Sequence, residues 1–357
     1  MKKILLFISV FIISLLLLDI YICNVGAIAL SEYEFNSETG IRYRDLENQV
    51  LFNEGFSIKS YKQSELYKDV PGFDVDNREK TFKIALIGDS YIKADQVFER
   101  QHFGQIIKNK LNIERDVKMT NYAYNGSDFK QMYATQKVIV DPTHPDLIIY
   151  FLSSEDFIEN KFIDPLLPFI ENQDNDLIVI NDFKESKIKS YKRSSVFKQY
   201  SAITNLIVNA IKQYKTNGIL PALLGKLYLK EENIDHNKII DGSKLLNHKQ
   251  IKLSKSIEII LEKIDVSKVI FVNRTENKLP DNIMKLICTN NIRLIELSPI
   301  LGALVNKKQN PYYWKVSNKY GHWNKNAHKE IGIYLSFVLN KMLENKPKHK
   351  EIHSQYN

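Results

Sequence analysis

The chain has 357 residues, 44% hydrophobic and 26% charged, with a formal net charge of +8. That is enough apolar length for a sizeable core, and 13 glycines and 10 prolines exclude a collagenous or linker-rich class. The lysines are spread along the chain rather than gathered into a stripe, so no nucleic-acid-binding face is expected, and two cysteines exclude a disulfide framework.

Residues 1–30 read as a membrane anchor or a signal peptide. Lys2 and Lys3 precede Ile4–Leu18, an apolar run broken only by Ser9 and Ser14, and Asp19 is the only charge between Lys3 and Glu32. Residues 4–30 together are long enough to cross a bilayer, with the two lysines staying cytoplasmic by the positive-inside rule. The expectation is a single-pass anchor with the domain on the periplasmic or extracellular side. The alternative is secretion after cleavage at Ala27-Ile28-Ala29, whose small-x-small form suits a signal peptidase. Cys23 follows Ile22 rather than a small residue, which argues against a lipoprotein site. With Cys288 as the only other cysteine, the exported part has no internal disulfide.

Residues 31–80 are polar and aromatic and read as a juxtamembrane segment with short strands. An α/β domain is expected over 81–345. Its first strand lies in Thr81–Tyr91, where the apolar run Phe82–Ile87 ends in Gly88-Asp89-Ser90. A helix near Phe98–Leu111 follows, then a strand in Val117–Tyr124, a helix near Phe129–Val140 and a third strand, Asp146–Leu152. After a less regular stretch come strands at Val269–Asn273 and Ile292–Leu297 around a helix near Asn282–Thr289. Asn326–Leu343 closes as an amphipathic helix. The alternation predicts a parallel sheet covered on both faces, a three-layer α/β/α sandwich. Residues 161–265 read as a largely helical insertion, with helices at Ser201–Tyr214 and Lys252–Lys263 and a polar connection at Lys230–Lys249. Residues 346–357 form a basic tail.

Gly88 allows a sharp turn as the first strand ends, and Ser90 is thereby presented at the carboxyl edge of the sheet, where open α/β sheets build their sites. A serine there is a candidate nucleophile and needs a base beside it and donors for an oxyanion. The candidate base is His322, in Tyr320-Gly321-His322-Trp323-Asn324, just before the closing helix. His328 reads as a helix-face residue and His144 as part of a polar turn.

These blocks resemble the SGNH/GDSL hydrolase family. The resemblance runs from about Lys83 to Leu343, interrupted by the insertion, and implies the SGNH, flavodoxin-like fold. Gly88-Asp89-Ser90 is similar to the nucleophile block, mapping the nucleophile to Ser90. Asn125-Gly126 is similar to the block whose glycine donates an N–H to the oxyanion, mapping to Gly126, with the Ser90 N–H beside it. Ser153-Ser154-Glu155-Asp156 occupies the place of the Gly-x-Asn-Asp block, and His322-Trp323-Asn324 that of the final block, so His322 maps to the base. Two departures stand out. The oxyanion asparagine falls at Glu155, and an ionised carboxylate accepts hydrogen bonds without donating any. The acid that orients the histidine falls at Lys319 or Tyr320, neither a carboxylate.

Among SGNH-like proteins, an anchor plus an exported domain resembles those that add or remove acyl groups on cell-surface polysaccharides. The resemblance therefore implies an esterase or O-acyltransferase taking an acylated glycan or small ester, with no metal and no organic cofactor. A catalytically impaired relative that binds a polysaccharide or an assembly partner is the competing expectation. A nucleotide-binding protein is disfavoured, because the first turn lacks Gly-x-Gly-x-x-Gly and the phosphate-loop Gly-Lys-Ser/Thr.

Overall fold

The computed structural model describes residues 2–24, 33–43, 46–52, 54–61, 68–69, 81–111, 116–158, 166–173, 176–183, 185–189, 191–192, 251–344 and a few positions between 201 and 207. Helix α1, Lys2–Asn24, is followed by two antiparallel hairpins, β1 (Tyr33–Asn36) with β2 (Gly40–Tyr43) and β3 (Leu46–Phe52) with β4 (Phe56–Tyr61). A short strand, β5 (Lys68–Asp69), precedes β6 (Phe82–Ile87), α2 (Ser90–Lys93), α3 (Phe103–Leu111) and β7 (Val117–Asn121). Helix α4 (Phe129–Thr135) widens into a π-turn over Gln136–Val140 before β8 (Leu147–Leu152). A hairpin of β9 (Phe169–Gln173) and β10 (Asp176–Ile180) follows. The remaining elements are α5 (Lys255–Lys263), β11 (Val269–Asn273), α6 (Asp281–Thr289), β12 (Arg293–Glu296), α7 (Ser298–Asn306), β13 (Tyr313–Trp314), β14 (Lys319–Tyr320) and α8 (Lys325–Glu344).

The central sheet runs β12-β11-β8-β6-β7-β5. Its first five members are parallel, and β5 adds an antiparallel edge to β7. Numbered along the chain, the parallel strands are ordered 2-1-3-4-5, as in flavodoxin-like sheets. Burial on both faces explains why the strands read as nearly continuous apolar runs, since every residue of β8 and β11 is buried. Ile84 and Leu86 of β6 face α3, α7 and α8, while Ala85 and Ile87 face α4, α5 and α6. From α8, Ile331, Leu335 and Leu339 pack into the first of these cores, each burial stabilising the fold by roughly 1.5–3 kcal/mol. Lys83, the one charge in the first strand, is exposed at its entry end, where its Nζ donates to the Thr143 carbonyl and its N–H to Asp146.

The three-layer α/β/α architecture and the five parallel strands are those expected. Part of the segment expected to be largely helical, 161–265, instead carries the β9–β10 hairpin, and α5 supplies the expected helix near its end. The Lys230–Lys249 connection and most of Ser201–Tyr214 lie outside the described residues, as does the tail 346–357. Residues 31–80 add β5 to the sheet edge and set the tip of the β3–β4 hairpin against the loops that follow α2 and β13. Helix α1 is long and apolar enough over Lys2–Ile22 to cross a membrane, a property that a signal sequence shares.

Candidate active site

In the 2-1-3-4-5 order the chain leaves β6 and β8 toward opposite sides, opening a crevice at their carboxyl ends. Ser90 lies there as the first residue of α2. Asp89 caps that helix by accepting the Tyr91 N–H at 3.0 Å. A Cβ on Gly88 would lie 2.4 Å from Ile92 Cγ1, so only glycine lets the strand turn this tightly into the helix. Beyond β7 the chain keeps to its neighbour, with the Tyr122 and Tyr124 N–H groups donating to the carbonyls of Leu86 and Gly88. That continuation brings Asn125-Gly126 alongside the Ser90 turn. Gly126 has a φ of 75° and open space on its Cβ side.

Ser90 Oγ lies 2.8 Å from His322 Nε2. The histidine loop is pinned from several directions. The Trp314 indole N–H donates to the His322 carbonyl, and Asn324 donates to the Asn310 and Tyr313 carbonyls. Asn324 Oδ1 also accepts the N–H groups of Asn326 and Ala327 at the start of α8. The Tyr91 ring packs on the imidazole, with centroids 4.6 Å apart.

The acid that the sequence does not offer at Lys319 or Tyr320 comes from elsewhere. Glu54, at the tip of the β3–β4 hairpin, places Oε1 3.0 Å from His322 Nδ1. Its backbone is tied down by Ser317, whose hydroxyl donates to the Glu54 carbonyl at 2.6 Å. Gly321 makes room, since a Cβ there would lie 2.3 Å from Glu54 Cγ. Burial pushes the Glu54 carboxyl up, but the hydrogen bond and electrostatic attraction of the His322 ring, with smaller help from its own N–H and from Gln96, hold it below its ordinary value. Glu54 is therefore ionised at neutral pH and can only accept, so His322 Nδ1 carries the proton and Nε2 is left as an acceptor for the Ser90 hydroxyl. A relay of this form can take a proton from the serine and return it to a leaving group.

The block after β8 is held by a buried network. Ser153 and Asp156 form a reciprocal cap on the turn Ser154–Phe157, the Ser153 N–H and hydroxyl both donating to Asp156 Oδ2. Capping therefore falls to Asp156, while Glu155 sits half-buried within the turn. Arg274, just past β11, donates through one Nη2 to Asp89 at 2.8 Å and to Ser153 at 3.1 Å, and its guanidinium stacks on Tyr91 at 4.3 Å. One cation thus ties the serine turn to the Glu155 turn. The Asp89 and Arg274 side chains are only 7% and 5% exposed, so Arg274→Met strands a buried carboxylate. It is expected to lower unfolding free energy by about 3–5 kcal/mol in urea denaturation, with part of the loss recovered in Asp89→Asn/Arg274→Met.

The sequence-derived residues Ser90 and His322 meet in the structure, and Gly126 and Glu155 lie on loops flanking the same sheet edge. His328 lies on α8 as expected, on the buried face, stacked on Phe103. Glu54 and Arg274 are the residues that sequence reasoning missed. Among the described residues no cluster of His, Cys, Asp or Glu is arranged to hold a metal ion.

No protein-family model matches the chain, and no curated protein is similar to it in sequence. In fold, the chain is similar to solved GDSL/SGNH-type esterases. A lipase/acylhydrolase from Enterococcus faecalis superposes over 73% of this chain and 96% of its own, at 11% identity and a TM-score of 0.39. A two-domain esterase active on acetylated mannans covers 73% of this chain, over 49% of its own length, at 11% identity and a TM-score of 0.36. An acetyl xylan esterase covers 74% of this chain and 98% of its own, at 15% identity and a TM-score of 0.30.

Proposed function

We propose that this chain is an SGNH-type serine esterase or O-acyltransferase acting on acyl esters of cell-surface glycans, held to the membrane by residues 4–30 with its domain on the outer side. One observation carries the chemistry: Ser90 Oγ, the His322 ring and Glu54 Oε1 form a continuous hydrogen-bonded line of 2.8 Å and 3.0 Å. His322 takes the Ser90 proton as Oγ attacks the ester carbonyl, and the N–H groups of Ser90 and Gly126 face the oxyanion. Collapse of the intermediate expels the alcohol, protonated by His322, and leaves an acyl-serine. Water then completes hydrolysis, or a sugar hydroxyl completes transfer. The glycan substrate follows from the resemblance that joins an anchor to an exported SGNH domain.

The direct test is a fluorophosphonate probe, which labels a serine only when that serine is activated. Wild type is expected to be labelled at Ser90 and Ser90→Ala to be silent. Equal labelling of the two proteins removes Ser90 from the chemistry.

Glu155 bears on the rate. It stands where the resemblance implies an oxyanion-donating asparagine, and an ionised carboxylate there repels the developing charge. A missing oxyanion donor typically costs about 3–4 kcal/mol in barrier height. Recovering a fraction of that, Glu155→Asn is expected to raise hydrolysis of a short-chain acyl ester by roughly tenfold or more at neutral pH. Purified wild type and mutant assayed side by side across a pH range decide it. Equal rates throughout mean that Glu155 does not brake the reaction.

A further inference from the structure

A second concavity lies against the far side of the histidine loop. It has a volume of about 460 Å³, within the range of roughly 300–1,000 Å³ that small-molecule sites occupy. Phe98 and Tyr313 give it aromatic walls, together with Trp314, the residue whose indole holds the His322 carbonyl. Two features of the lining define the chemistry of an occupant. Gln101, Gln309 and Asn326 line it with half-buried or exposed amides, side chains that both donate and accept and so match hydroxyl groups rather than a plain hydrocarbon. Its charged residues are Lys308, Lys315 and Lys325, with no carboxylate among them. One wall is the buried Gln96, whose side chain hydrogen-bonds Glu54 and so ties this wall to the relay.

Aromatic faces, amides and an all-cationic rim together suit a pyranose that carries a carboxylate. The C–H face of such a sugar stacks on the rings, its hydroxyls meet the amides, and its charge meets the lysines. We propose that this cavity binds an acidic sugar unit of a glycan, next to the catalytic relay. It touches that relay twice, since Gln96 contributes to holding the Glu54 carboxyl low and Trp314 packs against Gly55 while bonding the His322 carbonyl. The inference deepens the glycan-ester function proposed above and rests on it for its biological sense, although binding itself requires no turnover.

The test uses the full chain with Ser90→Ala, in detergent, so that binding is read without hydrolysis. Calorimetric titrations compare tetragalacturonate, neutral xylotetraose and AMP. Tetragalacturonate is expected to bind with a Kd below about 1 mM, equivalent to about 4 kcal/mol, at least tenfold more tightly than xylotetraose. In Lys315→Ala/Lys325→Ala, which alters two exposed side chains, that affinity should fall at least tenfold with the thermal unfolding midpoint unchanged. Equal binding of the neutral and acidic oligosaccharides, preference for AMP, no binding of tetragalacturonate at 10 mM, or indifference to the lysine substitutions each overturns the proposal. Failure of the esterase is read separately: a silent fluorophosphonate assay on wild type with tetragalacturonate binding intact removes the catalytic function and leaves the binding site standing.

Discussion

Ser90→Ala is expected to abolish turnover of a short-chain acyl ester, a loss on the order of 10^6-fold in kcat, and combining it with His322→Ala should cost little more than either change alone. In the proposed mechanism the two act as one unit, because the hydroxyl is a weak nucleophile until the imidazole takes its proton and the imidazole has no catalytic task without the hydroxyl. Their 2.8 Å contact is already at working distance, so no rearrangement is needed to assemble it. The ring is also held on three sides, by Tyr91 packed on it, Trp314 bonded to its carbonyl and Asn324 capping the helix behind it. Substrate binding should survive both substitutions, leaving KM within a factor of a few while kcat collapses. A His322→Ala protein that retained near wild-type kcat would show that another base serves Ser90, and additive losses in the double mutant would show that the two residues do not share a step.

Much of the scaffold was legible in the sequence. Parallel strands buried on both faces must be apolar nearly throughout, and Phe82–Ile87, Leu147–Leu152 and Val269–Asn273 announce themselves by that alone. The placement of Ser90 at the sheet edge was legible because a glycine-ended strand followed by a polar residue marks that edge. The meeting of His322 with Ser90 was legible because the histidine sits in a short loop just before the closing helix. Glu54 was not, for a physical reason. The orienting acid needs only to reach one ring nitrogen, and which hairpin tip arrives there depends on long-range packing of Gly55 against Gln96 and Trp314 and of Glu54 against Gly321. Nothing in the spacing of residues 46–61 encodes that contact, 268 positions away from His322. The only local trace is a carboxylate-glycine pair between two stretches of strand-like residues. Arg274 was hidden for a related reason: an arginine after a strand ordinarily points to solvent, and its burial here depends on the distant Asp89, Ser153 and Tyr91 that receive it.

Glu54→Gln should lower kcat on the order of 10^3–10^4-fold with little change in KM. The glutamine amide keeps the size of the side chain but loses its charge, and it can present an N–H to His322 Nδ1. The ring then shifts its proton to Nε2, facing Ser90 with a donor where an acceptor is required. Glu54→Asp keeps the charge and loses one methylene of reach, so it should recover much of the rate, which a purely structural role would not require. Gly321→Ala should resemble Glu54→Gln, because its methyl occupies the space of the Glu54 side chain. Stability carries a second signature. The Glu54 carboxyl is held below its ordinary value in the folded protein, so its contribution is full above the unfolded-state value and is lost as pH falls through the lower folded one. Between neutral pH and that acid range, wild type should lose stability relative to Glu54→Gln, whose side chain does not titrate. Urea midpoints measured over this interval should therefore converge as the medium is acidified. Parallel pH profiles for the two proteins, or a kcat for Glu54→Gln within a factor of a few of wild type, would remove Glu54 from the relay and return the orientation of His322 to its backbone contacts alone.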